Sequence, residues 1–490
     1  MGSSLKSKAV NGVIWNSVGV FSQDAVRFLI FIILARLLKP EQFGLIGMIA
    51  IFIAVANTFL DSGFGQALIQ KKDANQSDYS TVFYFNIVIG LLGLILFYIS
   101  APLIATFFKE PQLLKLTRFM GLVIIIHSFC LIQNTILTKK IDFKTLTKAN
   151  FLSVLLGGMV GIILALKGFG VWSLAIQAVS NVSFKTVFLW IFNDWRPTLE
   201  FRKSSFNKLF SFGSKLLASS LINTIFNNIY NLVIGKAFSA KFLGYYVQAN
   251  KLQQYATSNI NAVFQNVTFP VFSSIQDENL RLKRGYKTTI KGLVYFNFPL
   301  MLGLVVIADP LIRVLLTEKW LPCVPYFQIL CLIGLLYPVH SLNLNIIKVK
   351  GRSDLFLMLE IVKKIIIIAA VFICLPFGII ALLIGQLATS VISYFLNSYY
   401  SGRFIDYGIK EQLFDILPYF ISSAAMGLST WLIGDLVGDH YPIRLLGQII
   451  WAIWIYYVIS KILKLEALKE LMSILKNMMI REKLLKIIGK

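Results

Sequence analysis

Charge is scarce in this chain. Only 14% of its residues are Asp, Glu, Lys or Arg, against roughly 25% in soluble globular domains. With 57% of residues hydrophobic and a mean hydropathy of +0.73, a water-soluble enzyme is excluded. Four cysteines (Cys130, Cys323, Cys331, Cys374) all lie in apolar stretches without metal-ligand spacing, so a disulfide framework and a zinc site are both unsupported. The three histidines, His127, His340 and His440, are isolated. No Gly-rich phosphate loop of the Walker type is present, and no Ser/His/Asp or paired-carboxylate constellation stands on an exposed loop. The chain therefore reads as a non-enzyme without metal or organic cofactor. Acidic residues are also few: 23 against 47 Lys and Arg, a net charge of +24.

That basic excess does not point to nucleic acid, because of where it sits. The apolar runs predict an all-α membrane protein of about fourteen spans, each needing about 20 residues to cross some 30 Å of hydrocarbon. They fall near 13–35, 44–69, 81–107, 116–137, 147–166, 171–192, 209–235, 245–271, 289–315, 323–347, 356–377, 379–400, 415–436 and 445–463. Those starting at 13, 209 and 245 are too polar to be called on hydropathy and rest on the repeat below. The basic clusters Lys139/Lys140/Lys144/Lys148, Arg196/Arg202/Lys203/Lys208 and Arg281/Lys283/Arg284/Lys287/Lys291 all fall on one side of this topology. The positive-inside rule makes that side cytoplasmic and places both termini there. After Lys461, Leu465, Leu468, Leu471, Leu475, Met478 and Leu485 form an apolar stripe flanked by Lys and Arg, which suits a helix lying on an anionic leaflet.

The chain repeats itself. Ala35–Gly44 (ARLLKPEQFG) and Gly235–Gly244 (GKAFSAKFLG) end in glycines 200 residues apart, and Phe169-Gly170-Val171-Trp172 is followed 208 residues later by Phe377-Gly378-Ile379-Ile380. Six spans per repeat is an even number, so the halves are parallel, as in many transporters. This predicts lobes at 1–200 and 201–402, two added helices at 403–464 and a basic tail at 465–490.

Polar residues within spans fall at helical spacing. The first span carries Asn16, Gln23, Asp24 and Arg27; the second Asn57, Asp61 and Gln66; the seventh Ser220, Asn223, Thr224, Asn227, Asn228 and Asn231; the eighth Gln248, Lys251, Gln254 and Asn261. Helix–helix hydrogen bonding explains scattered amides at about 0.6 kcal/mol each. It explains poorly a mid-span Arg27, costing roughly 2.5–3.5 kcal/mol unless solvated or paired. A water-filled cavity lined by Gln23, Arg27, Asn223, Asn227, Asn231, Lys251, Gln254 and Asn261, with Lys215 lower down, is the more economical arrangement. Arg27 and Lys251 are then sites for an anionic group, or Asp24 and Arg27 a structural pair at i,i+3. Asp61, before Ser62-Gly63, either caps a short helix or holds a coupling cation, as Asp24 could. Glu360 is placed to pair with Lys364 at i,i+4.

Four segments carry a family likeness: Leu34–Gly44, Asp61–Gln70 (DSGFGQALIQ), Ile141–Lys144 (IDFK) and Gly168–Leu174 (GFGVWSL). In them the chain resembles the polysaccharide flippases of the MOP superfamily, in the branch of bacterial lipopolysaccharide, O-antigen and exopolysaccharide exporters. The resemblance implies two six-helix lobes and movement of an undecaprenyl-diphosphate-linked oligosaccharide from the inner to the outer leaflet of the cytoplasmic (inner) membrane by alternating access. It also implies coupling to a Na⁺ or H⁺ gradient and proximity to the polymerase and chain-length machinery. Its rivals are a cation-coupled multidrug exporter, which a cationic seam disfavours, and a membrane polymerase or glycosyltransferase, which should show a large or acidic outer loop.

Overall fold

Hydrocarbon offers the backbone no hydrogen-bond partners, so a spanning chain must close its own, and the helix is the way an open segment does this. The computed structural model describes residues 2–61, 63–436, 438 and 440–473. The side chains of 2–14, 16–18, 208, 211–212, 215–216, 258–267 and 435 lie outside the described set. Among the described residues there are eighteen α-helices and no strand. They are α1 (Gly2–Leu37), α2 (Pro40–Asp61), α3 (Phe64–Gln70), α4 (Gln76–Phe108), α5 (Gln112–Met120), α6 (Leu122–Lys139), α7 (Phe143–Leu166), α8 (Val171–Phe192), α9 (Lys203–Asn227), α10 (Ile229–Ala237), α11 (Ala240–Ser274), α12 (Asn279–Val306), α13 (Ala308–Leu316), α14 (Val324–Val349), α15 (Ser353–Cys374), α16 (Ile379–Ile405), α17 (Ile409–Leu436) and α18 (Tyr441–Ile462). Ten segments are long and apolar enough to cross a membrane. Outside that set, α1, α9 and α11 are the spans too polar for hydropathy, and α15 carries Glu360, Lys363 and Lys364. Even the shortest of these four, the 22 residues of α15, extends about 33 Å at 1.5 Å per residue.

Several expected single spans are broken. The seventh divides at Asn228 into α9 and α10, the fourth at Gly121 and the ninth at Ile307. Hydropathy averaged over a whole span does not resolve a turn at one residue; only the backbone reports it. The expected i,i+4 pair of Glu360 with Lys364 is present at 4.0 Å, and Lys363 at i,i+3 is a second, nearer partner.

The chain forms two compact units, Met1–Val247 and Gln248–Lys490, divided within α11. In the first, α1 lies along α7, where Gly158 faces Ile30 and Gly19 faces Thr147. One end carries the basic clusters and is tied by specific bonds. Asn75 and Asp78 form a capping box at the start of α4, Lys71 pairs with Asp78 at 2.6 Å, and Lys139 donates to Leu68 O at 2.9 Å. The buried Asn193 amide reaches Gln133 at 2.6 Å, and Trp195 donates to Gln76 at 2.7 Å.

At the other end the two repeat motifs meet. A Cβ at Gly44 would lie 1.7 Å from Ala240 O, and a Cβ at Gly244 would lie 2.0 Å from Pro40 O. The contact is reciprocal: each motif's glycine receives the first helical residue of the other. Backbones this close exclude any side chain.

In the second unit, Tyr286 donates to Asn343 Oδ1 at 2.5 Å, Asn343 donates to Ser398 at 3.0 Å, and Ser398 to Gln412 at 3.0 Å, a buried network across α12, α14, α16 and α17. Beside it runs a charge ladder. Lys283 and Lys287 meet Glu411 at 2.9 and 2.8 Å, Lys287 and Lys291 meet Asp415 at 3.0 and 3.1 Å, and Lys291 reaches Glu466 at 2.6 Å. These lysines belong to a cluster that hydropathy treats as loop charge; the ladder uses them to hold α17 and the chain after α18 against α12. Leu465 and Ala467 are buried there. The rest of the expected amphipathic tail, 474–490, lies outside the described residues. Cys130, Cys323 and Cys331 are buried free thiols, and Cys374 is half-buried.

Gly44→Val should lower the thermal midpoint in detergent by an amount equivalent to about 1–3 kcal/mol, the usual cost of overpacking. Gly292→Ala, whose Cβ would meet nothing within 4 Å, should leave the midpoint unchanged. Asp415→Ala removes the carboxylate shared by Lys287 and Lys291, leaving each with one partner, Glu411 and Glu466, and a loss of about 1–3 kcal/mol is expected in the same assay.

Candidate functional site

The chain turns sharply after α2. Gly63 takes a left-handed φ of 69° and begins α3 with no side-chain cap, so Asp61 does not cap that helix. Phe64 drops into an aromatic cluster, 5.0 Å from Phe85 and 5.9 Å from Phe206 between ring centroids. Gly65 lets α3 approach α6, where a Cβ would sit 3.2 Å from Thr135 Oγ1. This geometry turns Asp61 and Gln66 away from the core, and both are exposed.

They face a cavity of about 400 Å³ inside the first unit, lined by α2, α3, α4, α6 and α9. Its polar wall is Asp61, Gln66, Asn86, Asn134, Thr138 and Ser220. Asn86 is 3% exposed, and its side-chain oxygen is buried without a partner. Thr58 on α2 and Thr224 on α9 share a 2.9 Å hydroxyl bond at the rim. Near the cavity, His127 Nδ1 lies 3.1 Å from Asn57 Oδ1. Lys185 is close enough for its charge to act on Asp61, His127 and Cys130. The cavity thus combines one carboxylate, neutral hydrogen-bonding groups and a nearby ammonium. Among the described residues, no three His, Cys, Asp or Glu side chains gather as a metal site.

The other expected site residues are distributed as follows. Arg27 and Asp24 make a long 3.8 Å pair, with Arg27 half-exposed; Gln23 is buried. These residues sit on α1 and do not line the cavity that holds Asp61. Asn223 and Asn227 are exposed on α9. Asn231 donates to Asn228 Oδ1 at 3.4 Å, and Asn228 bridges the helix break by donating to Thr224 O at 2.9 Å. Lys251 and Gln254 are exposed on α11 in the second unit. The side chains of Lys215 and Asn261 lie outside the described residues.

Asn86, Asn134, His127 and Lys185 did not figure among the sequence candidates. Each is a polar residue within an apolar span, and that was the available signal; that Asn86 and Asn134 share a cavity with Asp61 was not.

The comparisons agree with this architecture. The chain shares its fold with the structure described as lipid II flippase MurJ in an inward closed conformation (TM-score 0.77, 15% identity, covering 92% of this chain and 98% of that one). It also aligns with an inward-facing multidrug resistance MATE family transporter of the MOP superfamily (TM-score 0.60, 16% identity, 78% and 96%). In sequence it is 29% identical to the teichuronic acid biosynthesis protein TuaB of Bacillus subtilis over 90% of this chain and 92% of the relative. It is 25% identical to the lipopolysaccharide biosynthesis protein WzxC of Escherichia coli over 87% and 89%. The chain is a multi-pass membrane protein with the fold of these structures. The match of residues 33–325 places it in the polysaccharide biosynthesis protein family.

If the cavity holds water, Ser220→Cys should react with a membrane-impermeant thiol reagent in detergent-purified protein, while the buried native Cys130, Cys323 and Cys331 stay unlabelled. Equal protection of the introduced thiol would mean the cavity is closed to water.

Proposed function

We propose that the protein is a flippase that moves a polyprenyl-diphosphate-linked oligosaccharide across the cytoplasmic membrane by alternating access, with both termini in the cytoplasm. The observation that carries this reading is the contrast between the two ends of the first unit. At the start of α2, Gly44 and Gly244 bring two backbones together with no room for a side chain. Near its other end, some 25 Å away at 1.5 Å per residue, a polar cavity surrounds Asp61. One end is sealed while the other offers hydrogen-bonding space, as an inward-facing carrier requires.

The amides and hydroxyls suit sugar hydroxyls, each of which donates and accepts. Arg27, half-exposed in the first unit, and Lys251, exposed in the second, are each proposed as a cation for the diphosphate; a charge-assisted bond from either contributes more than a neutral one. Asp61 is proposed to bind the coupling cation, Na⁺ or H⁺. The names of the relatives, which include a succinoglycan biosynthesis transport protein of Rhizobium meliloti, support the polysaccharide class. They leave the sugar of this chain's own substrate to experiment.

In proteoliposomes, the protein should transfer fluorescent polyprenyl-diphosphate oligosaccharide between leaflets above the rate of empty liposomes. Arg27→Ala with Lys251→Ala should slow transfer about tenfold or more, consistent with losing charge-assisted bonds of about 1.5–3 kcal/mol each. No transfer by folded wild-type protein would refute the proposal, and an unchanged double variant would make the two cations structural.

A further inference from the structure

The repeat motifs and the Phe169–Trp172 segment have a second consequence, on the end of the first unit opposite the basic clusters. There the starts of α2, α5, α8 and α11 surround a pocket of about 720 Å³, within the range of small-molecule sites. It is built over the Gly44/Gly244 crossing, since Glu41 and Gln42 on one motif and Ala240 and Lys241 on the other both line it.

The lining has three parts. Trp172 is an aromatic wall, held edge-on by Phe119 with centroids 5.5 Å apart. Gln42 is a fixed amide: its Oε1 accepts the Lys39 backbone N–H at 2.9 Å, which leaves Nε2 to donate. Gly170 makes room for that amide, since a Cβ there would lie 2.8 Å from Gln42 Nε2, and its φ of 58° favours glycine independently. The third part is charge of both signs, Glu41 and Glu110 facing Lys39, Lys115 and Lys241. Among the described residues these five make no ion pair with one another, although they share one space.

Each part selects a chemistry. An aromatic face at a wet rim takes the apolar face of a ring. Carboxylates and a fixed amide take hydroxyl groups in both donor and acceptor roles. A surplus of one lysine favours a ligand with a carboxylate. A simple phosphate would leave the aromatic face of Trp172 unused, and an apolar partner helix would have to desolvate five charges. We infer that this pocket is a saccharide subsite, with preference for an acidic sugar such as a uronic acid. It contacts the glycan on the outer side of the membrane while the crossing is closed. The side assigned to it, and the glycan as its source, rest on the flippase reading.

The test uses the full chain in phosphatidylcholine nanodiscs and isothermal titration with cellobiouronic acid, cellobiose and glycerol 1-phosphate. Cellobiouronic acid should bind best. Trp172→Ala should weaken it about tenfold, while Trp172→Phe should largely restore it. Lys115→Gln with Lys241→Gln should abolish the preference over cellobiose yet retain cellobiose binding. Lys115 and Lys241 are exposed, so this pair keeps the test decisive if Trp172→Ala does not fold. The inference is overturned if neither sugar binds, if binding ignores both sets of substitutions, or if glycerol 1-phosphate binds more tightly than either sugar, which would assign the pocket to a lipid headgroup. Sugar-blind protein that still transports lipid-linked oligosaccharide removes the subsite and leaves the flippase. Trp172-dependent sugar binding without transport does the reverse.

Discussion

The structure depends on one constraint: a polar group in hydrocarbon must be met by another part of the chain or by enclosed water. The helices satisfy the backbone, so what distinguishes one part of this molecule from another is how the side chains obey the rule. In the second unit the Tyr286–Asn343–Ser398–Gln412 network and the Lys–Glu–Asp ladder beside it obey it by pairing. Around Asp61 the polar groups Asn86, Asn134 and Ser220 instead share a cavity.

Glycine has two different uses here. At Gly63 and Gly170 it supplies left-handed turns, one starting α3 and the other α8. At Gly44 and Gly244 its value is the missing Cβ, which allows two helix starts to touch backbone to backbone. That crossing is formed by main-chain contact rather than by interlocking side chains, so separating it would uncover little apolar surface, which suits the gate of the proposed flippase. The pocket over it draws walls from both helix starts.

Much of the architecture was legible in advance. Apolar length gave the helices, and the paired motifs gave the helices that hydropathy rejects, α1, α9 and α11. The polar stripes of α2 and α9 were visible as spacing, and Asp61 was visible as a carboxylate where none is expected. The breaks at Asn228, Gly121 and Ile307 were not legible, because a turn at a single residue leaves no mark in hydropathy averaged over a span. Nor were the roles of Lys139 and Lys291, which sequence reads as cytoplasmic charge and the fold uses as specific donors to Leu68 and Asp415.

The sequence by itself therefore determined the solvent of the protein and its all-helical character, because these follow from composition and from periodicity along a single helix. Tertiary structure alone decided that Asp61 shares a cavity with Asn86 and Asn134 while Arg27 stands apart on α1, and that the two glycine motifs meet. Those facts depend on which helix faces which, and the packing of residues distant in the chain is a property that no local pattern encodes.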